Sequence, residues 1–296
     1  SCGNIGVPFT DLQINKSTTL VVEISSFQLA KIQKLKFNYA FLLNISCDHL
    51  DWHGSMKNYI NAKLKIFSLQ NKKNYAFISD KKIIKKYKKN KYLGKLIRVR
   101  LNSYSNIKDK INNNYLDYDA NKENMSFALA ISKILKIKEK SFIKSLKSFK
   151  GLPHRYEIFL KKKNKIFIND SKATSFHASK FALKSNNNIF WILGGMPKQG
   201  EKFNLGGIKN NIVKSYIIGN HMKNFKRYLN QKVKFKLSKT LENATLSICK
   251  DTKNIKDKKI IILLSPAAAS YDQFTNFEQR GNFFKKLSKN YARKYL

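Results

Sequence analysis

Residues with the chemistry of metal ligation follow two apolar stretches near the start of the chain. Glu23 follows the apolar run 20–22, and Asp48 and His49 follow a second apolar run that begins at residue 39. In an open α/β sheet, ligands collect beyond the carboxyl ends of the strands, so we expect these side chains to border one cleft. A carboxylate with few competing ligands suits Mg²⁺, which keeps several waters and shares substrate phosphates.

The same residues also have simpler interpretations. Asp48 is of a type favoured as the N-cap of a helix, and a lone glutamate after a strand is commonly a surface residue. His49 and His53 are four residues apart, which on a helix places both on one face and suggests zinc as an alternative. No His-Glu-x-x-His pattern is present and no cysteine supports the pair, so the sequence argues against zinc. Lys63 follows on a predicted helix that could turn back toward the same cleft.

A second set of polar residues lies at the ends of predicted strands in the other half of the chain. It lies in four loops, at residues 151–155, 169–175, 194–198 and 265–272. The loop 169–175 follows a strand and opens a helix, where backbone N–H groups can bind an anion. Lys172 and Lys198 add positive charge to two of the loops. Each loop alone is compatible with a structural role, but four at one predicted sheet edge favour an anionic small substrate.

The hydrophobic pattern predicts a sheet in each half of the chain to position these loops. Strands are predicted at 20–24, 39–45, 75–78 and 96–99, and then at 157–161, 165–169, 189–193, 215–218, 232–236 and 259–264. Helices are predicted between them, among them 121–135, 141–149, 175–184, 221–229, 241–251 and 277–291. Strands that alternate with helices indicate βαβ units, so the predicted fold class is α/β with largely parallel sheets. Gly151 followed by Pro153 stops a helix, which predicts two domains, 1–151 and 152–296.

Composition limits the class of protein. A chain of 296 residues suits two domains, and a hydrophobic fraction of 42% is enough for real cores. No segment approaches the roughly 18 consecutive apolar residues of a membrane span. The chain opens without a basic-then-apolar leader, and its 3 cysteines share no metal or disulfide spacing. We therefore expect a cytoplasmic protein with no membrane partner.

The formal net charge of +41 leaves a second class open, a non-catalytic basic protein that binds nucleic acid. Such proteins concentrate Lys and Arg on one face, whereas here the lysines are spread along the chain among abundant Asn, Ile, Phe and Tyr. Those residue types share A/T-rich codons, so genome composition accounts for the bias without a ligand. We expect weak, salt-sensitive binding to polyanions and no specific nucleic-acid partner.

Several of these segments together resemble the Mur ligases of peptidoglycan synthesis. They run in the family's order over essentially the whole chain: GNIG (3–6), EISSFQL (23–29), 44–51, Ala62-Lys63, Asn121 with Asn124, 151–155, 169–174, 194–198 and SPAAASYDQFTNFEQRG (265–281). The last of these motifs is highly specific. The Asp-Asn-Pro-Arg signature of the members that add meso-diaminopimelate is absent. The resemblance implies an incomplete P-loop-type ATPase central domain (1–151), then a Rossmann-like C-terminal ligase domain (152–296), in a monomer.

The resemblance also implies roles for individual residues. The implied catalytic and metal-binding residues are Glu23, His49 and Lys63, with Lys63 similar to the family's carbamylated lysine. The implied nucleotide-binding residues are Asn121, Asn124, Arg155 and Asp170. The implied substrate-binding residues are Asn4, Ser25, Lys172, Thr174, Lys198, Ser270 and Phe277.

The reaction implied by the resemblance is amide-bond formation driven by ATP, with Mg²⁺ as the metal cofactor. A phosphoryl group passes from ATP to the carboxylate of UDP-N-acetylmuramoyl-L-alanine, and the amine of D-glutamate attacks the resulting acyl phosphate. Positioning and charge neutralisation would supply most of the catalysis. The alternative on the same scaffold is another amide ligase, such as a folylpolyglutamate synthetase.

One departure from the family pattern concerns the phosphates of ATP. The family places a G-x-x-G-K-[ST] loop before the GNIG turn, and no Gly-Lys-Ser or Gly-Lys-Thr occurs in this sequence. That loop supplies the backbone cradle and the lysine that hold the phosphates. We therefore expect this sequence to start inside the ATPase domain and to hydrolyse no ATP by itself. A smaller departure is Ala120, where relatives often carry His.

Overall fold

The structure is a computed structural model. It describes residues 2–3, 11–15, 17–46, 49–113, 115–116, 119–198, 200–201 and 203–296, without the side chains of residues 119 and 120. The chain divides into two compact parts, Ser1–Phe149 and Lys150–Leu296, which we call unit 1 and unit 2. This division falls just before the Gly-Leu-Pro segment at which the sequence predicts a domain boundary.

Unit 1 has two small parallel sheets in its described residues. Strands β1 (Cys2–Gly3) and β2 (Val22–Glu23) form one, and β3 (Tyr39–Leu42), β4 (Tyr75–Ile78) and β5 (Lys95–Arg98) form the other in that order. The helices of unit 1 are α1 (Ser26–Lys31), α2 (Leu50–His53), α3 (Met56–Ser68), α4 (Lys81–Lys89), α5 (Ser105–Ile111), α6 (Asp119–Ile134) and α7 (Glu139–Lys147).

The three-stranded sheet of unit 1 is covered on both faces. On one face, Leu64 and Phe67 of α3 are buried with Ala76 of β4. On the other face, Phe77 of β4 packs with Phe127 of α6. Burial on both faces is what a parallel sheet requires, and it explains why these strands have few polar residues.

The strands that precede Glu23 and His49 are not neighbours in the described part of unit 1. Strand β2 pairs with β1, and β3 pairs with β4, so these two strands belong to different sheets. The predicted strand 20–24 is shorter in the structure, where Val21 is 69% exposed and only two residues, Val22–Glu23, join a ladder.

Unit 2 is built around one sheet with strand order β10-β9-β8-β11-β7-β6. Its strands are β6 (Glu157–Lys162), β7 (Lys165–Asn169), β8 (Ile189–Gly194), β9 (Ile212–Ile218), β10 (Phe235–Lys239) and β11 (Ile260–Leu264). All pairs are parallel except β6 with β7, which form an antiparallel hairpin. The helices are α8 (Phe176–Lys184), α9 (Met222–Leu229), α10 (Leu241–Thr252) and α11 (Phe277–Tyr295).

The two central strands of the sheet in unit 2 are β8 and β11. Every residue of both strands is buried, as expected for strands that have helices on both faces. Helices α10 and α11 cover one face, where Ile248 and Phe284 pack against Ile262. Strand β10 begins later than the predicted 232–236, because Gln231 adopts a left-handed conformation (φ 59°) in the turn after α9. In the described residues, no helix combines the length and the apolar character needed to cross a bilayer.

Candidate active site

The parallel strands of unit 2 end at one edge of the sheet, and the loops that follow them are bonded to one another. The N–H of Asp170, after β7, donates to the carbonyl of Leu264 at the end of β11 (2.8 Å). The N–H of Gly194, at the end of β8, donates to the carbonyl of Pro266 (2.9 Å). The loops after β7, β8 and β11 therefore form one platform at this edge.

Asp170 is a buried carboxylate in this platform. Its Oδ2 accepts a hydrogen bond from Ser265 Oγ (2.7 Å), and its Oδ1 accepts one from the N–H of Tyr156 (3.1 Å). Burial raises the pKa of Asp170 to about 7, although both hydrogen bonds and the nearby charge of Arg155 act in the opposite direction. A carboxyl group that titrates near neutral pH in a polar cluster is a feature of functional sites. The predicted pair Arg155 and Asp170 thus lies together in the structure.

His154 connects the loop before β6 to the loop after β7. Its backbone is left-handed (φ 62°), and its Nδ1 lies 2.9 Å from Nδ2 of Asn169. Burial and then the charge of Lys285 lower the pKa of His154. The carbonyl of His154 accepts a hydrogen bond from the N–H of Lys172 (3.0 Å). The residue before Arg155 therefore also holds the backbone of Lys172.

Several predicted substrate-binding residues lie on the same platform. Nζ of Lys172 lies 4.9 Å from the centroid of the Phe277 ring, at the N-terminus of α11. The N–H of Thr174 donates to the carbonyl of Lys172 (2.9 Å), and Ser270 is buried in the loop after β11. These residues come from the loops after two neighbouring strands, β7 and β11, and from the helix that follows.

Lys198 lies on the loop after β8, which is part of the platform. Met196 and Ala269 exchange backbone hydrogen bonds (2.9 and 3.0 Å). The carbonyl of Lys198 accepts a hydrogen bond from the N–H of Glu201 (3.4 Å), and Oε1 of Glu201 accepts one from the N–H of Phe176 at the start of α8 (2.5 Å). The segment that carries Lys198 is thus bonded to the loop after β11 through Met196 and to the start of α8 through Glu201.

In unit 1, two of the three residues predicted to bind metal lie beside one aromatic ring. The rings of His49 and Tyr59 have centroids 6.2 Å apart, and Nζ of Lys63 lies 5.1 Å from the centroid of the same Tyr59 ring. Ser25, two residues after Glu23, accepts a hydrogen bond from the N–H of Gln28 and caps α1. His49 and Lys63 therefore share one neighbour. Asn4 and Asp48 lie outside the described residues.

His53, considered in the sequence as a zinc ligand with His49, has a different partner. It is buried, and its Nε2 lies 2.9 Å from Oγ of Ser26. Its ring also contacts the ring of Phe27 (5.7 Å between centroids) and that of Tyr59 (5.1 Å). Within the described residues, no three His, Cys, Asp or Glu side chains are arranged to hold a metal ion. The geometry gives His53 a structural role.

The carboxylate of Glu23 is a ligand type that suits Mg²⁺. One exposed carboxylate and one imidazole provide few protein ligands, which leaves positions for waters and phosphate oxygens. An unmodified Lys63 ammonium would oppose the binding of a cation, whereas its carbamate would carry a negative charge.

Glu123 is a residue that sequence reasoning missed. It lies between the two asparagines predicted to bind nucleotide, and its Oε2 accepts a hydrogen bond from Nδ2 of Asn44 (2.8 Å). Its Oε1 accepts a second bond from Oγ of Ser79 (3.3 Å). Glu123 therefore joins α6 to the segments after β3 and β4. Of the two predicted residues, Asn121 donates to the carbonyl of Tyr115 (2.7 Å), and Asn124 is exposed.

Comparison with known proteins identifies the family. Residues 3–145 match the model of the Mur ligase middle domain. UDP-N-acetylmuramoylalanine–D-glutamate ligase of Rickettsia felis is 34% identical over 98% of this chain and 69% of its own length. The enzyme of the same name from Rickettsia prowazekii is 36% identical over the same shares. The chain belongs to the Mur ligase family, in its UDP-N-acetylmuramoylalanine–D-glutamate ligase branch.

Solved structures share the fold of this Mur ligase chain. MurF ligase from Thermotoga maritima, in complex with ADP, has a TM-score of 0.63 and 14% identity over 93% of this chain and 67% of its own. A bifunctional folylpolyglutamate synthase/dihydrofolate synthase from Yersinia pestis, with AMPPNP and Mn, has a TM-score of 0.60 and 14% identity over 90% of this chain. The prediction of an α/β fold is confirmed. Because both amide ligases fit the fold, the sequence relatives decide the branch of the family.

Proposed function

We propose that this chain carries nucleotide-binding and amino-acid-binding parts of an ATP-dependent ligase that joins D-glutamate to UDP-N-acetylmuramoyl-L-alanine. The observation that carries the proposal is the similarity to D-glutamate ligases over 98% of the chain. The platform of unit 2 supports it, because Lys172, Lys198 and a buried Ser270 lie on loops at one sheet edge. Two ammonium groups beside backbone donors suit a substrate with two carboxylates.

The reaction proceeds in two steps. The alanyl carboxylate of the UDP-linked substrate attacks the γ-phosphorus of ATP, and ADP leaves. The amine of D-glutamate then attacks the acyl phosphate, inorganic phosphate leaves, and the ammonium loses a proton. Mg²⁺, when bound, neutralises phosphate charge and orients the phosphates.

Residues of both units have separate roles in the proposal. Glu23 and His49 would hold the metal, and the carbamate of Lys63 would support it. Asn121 and Asn124 would contact the nucleotide, as would Arg155 and Asp170. The proposed contacts to D-glutamate are Lys172, Thr174, Lys198, Ser270 and the Phe277 backbone. Asn4 and Ser25 would contact the muramoyl-alanine substrate.

Phosphate release tests the proposed reaction. The chain is assayed alone and after fusion to the part of the R. prowazekii relative that lies outside the 69% it covers. We expect the fusion to release phosphate only with UDP-N-acetylmuramoyl-L-alanine and D-glutamate together, and the chain alone to release none. A folded fusion that requires a folate substrate and L-glutamate would instead establish the folylpolyglutamate alternative. Phosphate release by the chain alone would contradict the expectation drawn from the absent Gly-Lys-Ser/Thr loop.

Lys198→Ala in the fusion tests the amino-acid site. Loss of a charge-assisted contact of about 1.5–3 kcal/mol should raise the KM for D-glutamate about 10- to 100-fold and leave the KM for ATP nearly unchanged. Lys209→Ala is the control, because Lys209 is an exposed lysine of the same unit. An unchanged KM for D-glutamate would refute the assignment of Lys198. Monomeric state and cytoplasmic location stay predictions, which sedimentation and cell fractionation would test.

A further inference from the structure

Arg280 is an arginine of α11 that is buried beneath the platform. It is 1% exposed and lies one turn after Phe277. Its Nε donates to Oγ of Ser171 (3.1 Å), and its Nη2 donates to the carbonyls of Ser171 (2.9 Å) and Ala268 (3.1 Å). One guanidinium group therefore joins the loop after β7 to the loop after β11.

Burial of the charged Arg280 side chain is unfavourable, and packing alone does not explain why an arginine occupies this position. Burial lowers its pKa to about 10, and the charge of Asp272 opposes that change, so the group stays cationic at neutral pH. Its Nη1 has no hydrogen-bond partner among the residues that the structure describes. A buried cation with an unmatched donor is less stable than an apolar side chain of similar volume. Space-filling alone would therefore favour a residue such as methionine at this position.

The atoms that Arg280 contacts are close in sequence to the proposed D-glutamate contacts. Ser171 directly precedes Lys172, and its Oγ also donates to the carbonyl of Phe277 (2.8 Å). Ala268 is two residues before Ser270. The loop after β8 also packs here, since a Cβ on Gly195 would lie 3.2 Å from Nη1 of Arg280.

We propose that Arg280 is a positioning residue for the amino-acid substrate. Its planar fork fixes the loop that carries Lys172 relative to the loop that carries Ser270, so both carboxylates of the substrate meet one rigid set of donors. The identity of that substrate rests on the proposed function, whereas the joining of the loops rests on the hydrogen bonds. Lysine cannot replace it, because one ammonium cannot reach three acceptors in the directions that the fork provides.

Hydrogen–deuterium exchange tests the joining of the loops without any ligand. The 296-residue chain is compared with Arg280→Lys, which keeps the charge, and Arg280→Met, which removes the charge and keeps an unbranched side chain. Loss of the Ser171 and Ala268 bonds should make the amides of residues 171–174 and 268–270 exchange about tenfold faster in both variants. Amides of the inner strands β8 and β11 should keep their rates.

Two controls separate positioning from general destabilisation. Ile262→Val removes one methyl group from the buried centre of β11, and Arg227→Met removes an exposed arginine of the same unit. Ile262→Val should lower the melting temperature without faster exchange confined to the two loops. Arg227→Met should change neither the melting temperature nor the exchange rates of the loops. Uniformly faster exchange across unit 2 in Arg280→Lys, or unchanged loop exchange, would overturn the proposal.

Titration with D-glutamate and L-glutamate, followed by NMR, tests the link to the substrate. Wild type should prefer D-glutamate, and Arg280→Lys should bind it about tenfold more weakly with a reduced preference over L-glutamate. Ile262→Val should keep the preference. Wild-type D-glutamate affinity and preference in Arg280→Met would overturn the positioning role. Failure of the wild type to bind either amino acid would count against the proposed function, and the exchange experiment would still decide whether Arg280 joins the loops.

Discussion

Replacement of Asp170 by asparagine should stabilise unit 2 at alkaline pH. Burial raises the pKa of Asp170 from its ordinary 3.8 to about 7, so the folded state binds a proton that the unfolded state has released. Stability from this group is therefore fully present below about pH 4 and is lost as the pH rises through about 7. At about 1.36 kcal/mol per pH unit, the loss amounts to about 4 kcal/mol. Asp170→Asn cannot ionise, so it should avoid that loss. Its Nδ2 cannot accept a hydrogen bond, so the loss of one acceptor lowers its stability by an amount that does not depend on pH.

The assay is chemical denaturation of wild type and Asp170→Asn at a series of pH values from 4 to 9. At each pH, the free energy of unfolding of wild type is subtracted from that of Asp170→Asn. The subtraction removes the contribution of His154, which is present in both proteins and whose lowered pKa makes stability increase with pH. We expect the advantage of asparagine to grow from pH 4 to pH 8 by a few kcal/mol and then to level off. Asp251→Asn is a suitable control, because the pKa of Asp251 is lowered and its pH dependence should have the opposite sign. A difference that does not change with pH would refute the claim that burial of Asp170 costs stability.

Three further substitutions test local contacts, with melting temperature or denaturation as the measurement. Gly281→Ala should destabilise unit 2 by about 1–3 kcal/mol, because the new Cβ would lie 2.2 Å from Nδ1 of His154. The control is Gly206→Ala, which is nearer the surface and should destabilise unit 2 less. Equal losses of stability in the two variants would contradict the packing described around Gly281. Glu123→Ala should destabilise unit 1 by about 1–3 kcal/mol through two lost acceptors, and no change would count against this linkage. Ser25→Ala should cost about 1 kcal/mol of helix capping, and Ser25→Asp, which can cap, should recover most of it.

Secondary structure in unit 2 could be predicted from the sequence where local signals agree. The predicted strand 165–169 coincides with Lys165–Asn169, because a short continuous apolar run at 166–168 ends in a polar loop. Helix α11 begins at the predicted residue 277, where the side chain of Asn276 caps it. In unit 1, the apolar run 20–22 gave the same signal as a buried strand. Only its last residue joined a ladder, since hydrophobicity alone does not specify a pairing partner.

The contacts that organise the candidate site could not be predicted because they depend on strand order. Strand β11 is late in the sequence but lies between β7 and β8 in the sheet. That insertion brings residue 280 next to residue 171, which is 109 positions earlier in the chain. Hydrophobic periodicity identifies each strand but does not determine which strands pair. Lys172 could therefore be predicted as a site residue, whereas the contacts of Arg280, which lies within the motif 265–281, could not. If β11 lay at the edge of the sheet instead, its loop would not be bonded on both sides, and the guanidinium could not join it to the loop after β7.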